Sequence, residues 1–280
     1  MSRIGDDADT SPRHVQARIE ACLAQGITTF DHADLYGRFT AEAIFGAAIK
    51  AAPALRDRLE IVTKCGIVPQ AGRAGPNRIK HYDTSAAHIE ASVAASLRAL
   101  SVEHIHLLLI HRPDPFMDPD ETGAALDALV ASGKVGGVGV SNFRPWDISL
   151  LQSSMENRLL VNQIEISLAR PDSFTDGDLA YLQKGRIAPM AWSPLGGGSL
   201  FRPDGNRPLF DTLARIARAQ GVDAPAVAIA WLLAHPAGIL PVVGTSSLAR
   251  IARIADATRV TIDRQAWFEL YCAAMGRPVA

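Results

Sequence analysis

Four side chains of the right types fall at matching places in the chain: Asp31, Tyr36, Lys64 and His111. Asp31 closes the run ITTFD, Lys64 closes EIVTK, and His111 closes IHLLLIH; Tyr36 follows Asp31 by five residues. Each run reads as a short buried strand. In a barrel of parallel strands, residues at the C-terminal strand ends are the ones positioned for chemistry. A phenol ionises near 10, so alone it exchanges protons poorly at neutral pH. A neighbouring ammonium favours the phenolate. Lys64 could supply that charge, Asp31 could keep Lys64 protonated and oriented, and His111 could hydrogen-bond an incoming carbonyl oxygen. Such a set suits protonation of an alkoxide as it forms.

Each residue has a plainer role when taken singly. Asp31 could cap a turn, Lys64 could be a rim lysine with a solvated head, His111 could bond a backbone carbonyl, and Tyr36 could be an amphipathic rim residue. The coincidence of all four at strand ends favours catalysis.

The elements that must position them alternate along the chain, as in an α/β fold with a parallel sheet. Strands are expected near residues 27–31, 60–64, 105–111, 135–141, 160–165, 187–192 and 240–244. Helices are expected near 12–25 (Thr10 or Ser11 as cap, Gly26 as stop), 40–50, from a Thr84 cap to Leu100, 121–132, 145–153, 176–183, 208–220, 224–233, 247–257 and 264–275. Residues 67–83 carry Gly, Pro and charge and read as a long loop. Nothing like a linker divides the chain, so a single domain over residues 1–280 is expected. Seven strands are one short of a closed barrel, and the shortfall falls ahead of Pro12.

Composition narrows the classes further. The chain has 280 residues, 48% of them hydrophobic, and a formal net charge of −1. That is enough for a large core and gives no footprint for nucleic acid or an anionic membrane. No apolar run approaches the roughly 20 residues of a membrane helix. MSRIGDDADTSP lacks the apolar stretch of a secretory signal. Three widely spaced cysteines suggest neither disulfides nor a zinc site. A cytoplasmic location is the resulting expectation, and oligomeric state is unreadable.

Later strand ends supply uncharged groups. Ser141, Asn142 and Gln163 could bond a neutral amide, which needs donors and acceptors, and Trp192 offers a face for a planar ring or could simply pack in a core. The LGGGSLF run at 195–201 could let backbone amides approach a pyrophosphate. Thr245 and Ser246, ahead of Arg250, could bind a phosphate or merely cap a helix. The Rossmann, P-loop, H-E-x-x-H and G-x-S-x-G signatures are absent.

The segments GITTFDHADLYG, IVTKCG, LLLIHRPDP, GKVGGVGVSNF, NQIEISL, MAWSPLGGG and PVVGTSSLARI, in that order, resemble the aldo-keto reductase superfamily, and particularly its bacterial predicted oxidoreductases. The resemblance implies a (β/α)8 TIM barrel lacking its N-terminal hairpin and first strand. It implies NAD(P)H-dependent reduction of an aldehyde or ketone, with Tyr36 as proton donor assisted by Lys64, Asp31 and His111. It places Ser141, Asn142 and Gln163 on the nicotinamide carboxamide and Trp192 against its ring. It puts Ser193, Leu195 and Gly197 on the phosphate-side loop, and Gly244, Thr245, Ser246 and Arg250 on the adenosine phosphate. NADP is expected over NAD, although many NADPH-preferring members carry a basic residue where Gly244 stands. Two other readings remain: an NADPH-binding sensor with little turnover, and an aldolase using Lys64 as a Schiff base. His81, Tyr82 and Phe116 are candidates for the substrate pocket.

Overall fold

The computed structural model describes residue 4 and residues 8–72, 75–202 and 204–280. Residues 1–3 and 5–7, where the missing hairpin and strand were expected, lie outside the described residues. The described part forms two compact units: residues 1–162 with 244–248, and residues 163–243 with 249–280.

The first unit alternates α1 (Pro12–Ala24), β1 (Thr29–Asp31), α2 (Ala41–Ala51), β2 (Glu60–Cys65), α3 (Ala86–Leu100), β3 (Leu107–Ile110), α4 (Pro119–Ala131), β4 (Val138–Ser141) and α5 (Pro145–Gln152), then enters β5 (Leu159–Glu165). Strands follow in the order β1-β2-β3-β4-β5. Asp31 pairs in parallel with Val62, and Lys64 with Leu109. This register brings the ends of β1, β2 and β3 to one edge. Helix ends follow local chemistry. Ser11, Ser85 and Asp118 accept hydrogen bonds from first-turn backbone N–H groups, satisfying donors that a helix start leaves open.

Val15, Ile19, Phe30, Phe45, Ile49, Ile61 and Leu100 bury together, with Ile4 among them. The packing of α2 on α3 leaves no room for a side chain at Gly46: a Cβ there would lie 2.0 Å from the Ala99 carbonyl oxygen. Under this surface, Glu42 of α2 is buried and accepts hydrogen bonds from Thr63 Oγ1 (2.6 Å) and Ser96 Oγ (3.0 Å). Helix α2 is thereby tied to β2 and α3.

The second unit carries the end of β5, α6 (Asp178–Gly185), β6 (Ala188–Trp192), α7 (Arg207–Gln220), α8 (Ala224–Leu233), β7 (Leu240–Val242) and α9 (Arg264–Met275), with strand order β5-β6-β7. Trp231 of α8 and Trp267 of α9 stack with ring centroids 5.0 Å apart. Each indole N–H donates to the other's carbonyl, at 3.0 and 3.1 Å. Phe174 meets both rings edge-on. Beside this cluster lies a cavity of about 450 Å³ whose walls include His235, Trp267 and Phe268.

All seven expected strands are present, most somewhat shorter than expected. Three local expectations are corrected. Ser85, not Thr84, caps α3, because Thr84 Oγ1 is turned to Asp114 (3.1 Å). The 67–83 loop contains two short antiparallel ladders, Ile67–Val68 with His81–Tyr82 and Ala71–Gly72 with Gly75–Pro76. The helix expected over 247–257 is one turn, Leu248–Ile251, followed by a 3₁₀ segment at Ile254–Arg259.

Candidate active site

Backbone pairing places the first cluster. Beyond β1 the chain stays beside β2: His32 N–H donates to Val62 O (2.8 Å) and Asp34 N–H to Lys64 O (3.0 Å), and Tyr36 N–H then closes a turn on Ala33 O. Successive side chains of β2 point to opposite faces, so Thr63 meets Glu42 while Lys64 turns the other way. Lys64 Nζ donates to both carboxylate oxygens of Asp31 (2.7 and 2.7 Å) and to His32 O (2.7 Å). It also lies 3.4 Å from Tyr36 Oη and 5.1 Å from the ring centroid. The Lys64 side chain is 0% exposed and that of Asp31 12%. A solvated rim lysine is thereby ruled out.

Tyr36 is followed by three residues in the left-handed region, Gly37, Arg38 and Phe39 (φ 59°, 54° and 69°). Side chains other than glycine disfavour this region, so the surroundings hold the turn against local preference.

His111 meets the Tyr36 ring edge-on, with centroids 5.8 Å apart, and its N–H pins it to Cys65 O (2.8 Å). The imidazole is buried, and Nδ1 has no hydrogen-bond partner. Burial first, and then the charges of Lys64, Arg112 and Lys80, push its pKa down from 6.5 to about 2. His111 is therefore a neutral ring that carries one N–H. His32, beside Asp31, is also buried and held neutral; neither ring nitrogen has a partner, and its ring and that of Phe45 meet edge to face with centroids 4.5 Å apart. Its unpaired ring was not anticipated from DHADLYG.

Ser141 ends β4, and Asn142 follows in the left-handed region (φ 61°). Asn142 Nδ2 donates to Ser141 Oγ at 2.7 Å and lies 3.5 Å from His111 O, a carbonyl that Arg112 also bonds at 3.0 Å. The cluster of four and the Ser141–Asn142 pair thus share a backbone neighbour. Asn162, not singled out in the sequence, donates Nδ2 to Phe143 O (2.8 Å) and steadies the same turn. Its Oδ1 has no partner. Thr245 and Ser246 are half-buried and Gly244 is exposed.

The second unit holds the remaining predicted residues. Gln163 is buried on β5 and Trp192 is half-buried at the end of β6, paired with Val242. Ser193 (φ 51°) accepts at its carbonyl from Gly196 N–H (2.8 Å), and Leu195 packs near Val243 and Ile229. Gly196, Gly197 and Gly198 all have positive φ, and no atom lies within 4 Å of a would-be Cβ at Gly197 or Gly198. Arg250 is exposed on a single helical turn, too short to act as the helix terminus expected there. Of the substrate candidates, His81 is exposed, Tyr82 is half-buried and Phe116 is 96% exposed.

These residue types fit a nicotinamide dinucleotide. In the first unit a hydroxyl and an amide stand side by side at Ser141 and Asn142, and bare backbone is open at Gly244; in the second unit bare backbone is open at Gly197 and Gly198. Among the described residues no group of three or more His, Cys, Asp or Glu could hold a metal ion, and no helix is long and apolar enough to cross a membrane.

Residues 1–271 match the Aldo/keto reductase family. The chain is 68% identical over 280 residues to a 6-dehydroglucose reductase of Agrobacterium fabrum strain C58, covering 100% of this chain and 94% of that protein. It is 45% identical over 274 residues to the oxidoreductase YdhF of Escherichia coli K12, covering 98% and 91%. Among solved structures it resembles the thermostable aldo-keto reductase Tm1743 in complex with epalrestat (TM-score 0.81, 25% identity, 95% of this chain and 89% of that one). It also resembles an aldo/keto reductase from Klebsiella pneumoniae in complex with NADP and acetate (TM-score 0.78, 25% identity, 99% and 89%). Fold and relatives together define an oxidoreductase built on a (β/α)8-type frame. The chain belongs to the aldo/keto reductase family.

Proposed function

We propose that this protein reduces an aldehyde to an alcohol with NADPH, and that its substrate is 6-dehydroglucose or a closely similar sugar aldehyde. The observation that carries the chemistry is the buried Lys64 ammonium, bonded to both oxygens of Asp31 and near the Tyr36 hydroxyl. Bound NADPH would supply a hydride to the carbonyl carbon. Tyr36 Oη gives its proton to the carbonyl oxygen as negative charge develops there, and the ammonium stabilises the phenolate left behind. Asp31 keeps Lys64 charged and fixed. His111, neutral at any working pH, donates its one N–H to the same oxygen and orients the substrate.

Ser141 and Asn142 would hold the carboxamide. Gln163, Trp192, Ser193, Leu195, Gly197, Gly244, Thr245, Ser246 and Arg250 are proposed cofactor contacts on the sequence resemblance. NADP over NAD rests on the NADP-bound relative, and the sugar aldehyde on the Agrobacterium relative. A Schiff-base role for Lys64 is disfavoured, because Asp31 and the His32 carbonyl hold the amine as a donor.

The test is NADPH oxidation followed by absorbance, with 6-dehydroglucose as substrate and glucose as control. Turnover with the aldehyde alone is expected, faster with NADPH than with NADH. Saturable NADPH binding without turnover of any aldehyde would replace this reading with the sensor.

A further inference from the structure

The second unit carries a cavity that the proposed reaction does not use. Its volume of about 450 Å³ falls in the usual range for small-molecule sites, which are mostly apolar with a few placed polar groups. Phe174 meets Trp267 at 5.5 Å and 72°, and Phe268 meets Trp267 at 5.2 Å and 79°. Phe268 is nevertheless 39% exposed, so a large ring stands partly bare beside the cavity. His235 and Pro236, also in its wall, lead from the end of α8 toward the start of β7. Trp192, proposed to face the nicotinamide, pairs with Val242 at the opposite end of β7. The cavity thus lies toward the strand starts, away from the strand ends where barrel chemistry sits.

Tyr271 apart, its ionisable lining is Asp263, Arg264 and His235. Asp263 Oδ1 is spent on Ala266 N–H (2.8 Å) as the cap of α9. His235 Nδ1 accepts from Ala237 N–H (3.1 Å), so the neutral ring carries its proton on Nε2; burial lowers its pKa from 6.5. Arg264 opens α9 and has no ion-pair partner among the described residues. Glu269, the only carboxylate within α9, is paired with Arg215. The helix start adds partial positive charge of its own. We infer that this cavity is a second binding site, separate from the catalytic one, for a flat aromatic anion of the aryl carboxylate class. Its ring would lie against Trp267 and Phe268, which accept a planar partner stacked or edge-on. Its carboxylate would meet the planar guanidinium of Arg264, whose fork matches two oxygens, and the Nε2–H of His235.

The experiment is a fluorine NMR titration of the full chain, labelled with 5-fluorotryptophan, using 2-naphthoate and its uncharged amide. Four tryptophans give four resonances, and Trp267→Phe and Trp192→Phe assign the two that matter. 2-Naphthoate should shift the Trp267 resonance saturably, with NADPH present or absent. It should bind about tenfold more tightly than the amide, as expected for a charge-assisted contact. Arg264→Gln, at an exposed position, should remove that preference and leave amide binding within about twofold. Phe268→Ala should weaken acid and amide alike, and it serves as the check if Trp267→Phe melts early. A shift confined to Trp192 would put the ligand at the catalytic site and overturn the inference. So would equal affinity for acid and amide, an unchanged preference in Arg264→Gln, or no shift at all.

Discussion

Lys64 has its acceptors arranged so that its charge cannot wander: two carboxylate oxygens and a carbonyl lie at 2.7 Å, and the Tyr36 hydroxyl at 3.4 Å. If this geometry serves proton donation, Tyr36→Phe removes the donor and leaves the frame intact. It should lower kcat by about a hundred- to ten-thousand-fold, with NADPH affinity by tryptophan quenching nearly unchanged. Parallel losses in kcat and affinity would mean that Tyr36 builds the binding site instead. Asp31, Lys64 and His111 could be picked out of the sequence because each closes an apolar run, and Tyr36 because it follows one by five residues. The role of Glu42 could not, because its partners Thr63 and Ser96 come from separate elements.

At the level of elements, the packing of α2 on α3 depends on a missing side chain. Gly46→Ala would drive a methyl to 2.0 Å from the Ala99 carbonyl oxygen, a backbone atom that cannot swing aside. Overpacking of this kind costs about 1–3 kcal/mol, occasionally more. Urea denaturation should show that loss, even though alanine is the better helix former; an unchanged midpoint would mean that the helices separate easily. The strands were legible because continuous apolar runs are what parallel strands buried on both faces require. The break after Ile251 was not, because SLARIARIADATR holds neither Gly nor Pro and every local preference favours a longer helix. The ladders inside 67–83 were hidden by Gly and Pro that mark turns equally well in hairpins and in open loops.

For the molecule as a whole, buried neutral histidines set an acid limit. His32 and His111 are depressed below their ordinary 6.5 in the folded chain, His111 to about 2. Between those values the unfolded chain binds a proton that the folded chain refuses, so unfolding is favoured as pH falls. Their contribution is complete above about pH 6.5. For His111 it is lost on acidification toward pH 2, at up to about 1.4 kcal/mol per pH unit, and His32 acts in the same direction. Chemical denaturation between pH 8 and pH 4 should show stability falling with pH from about 6.5 downward. A flat profile would mean that these rings are hydrated or paired in solution. The stacked Trp231–Trp267 pair has an optical consequence. Indoles 5.0 Å apart share their excitation, so far-ultraviolet circular dichroism should carry an exciton couplet from the second unit alone. Its disappearance during unfolding would time the melting of that unit as a clock independent of the backbone signal.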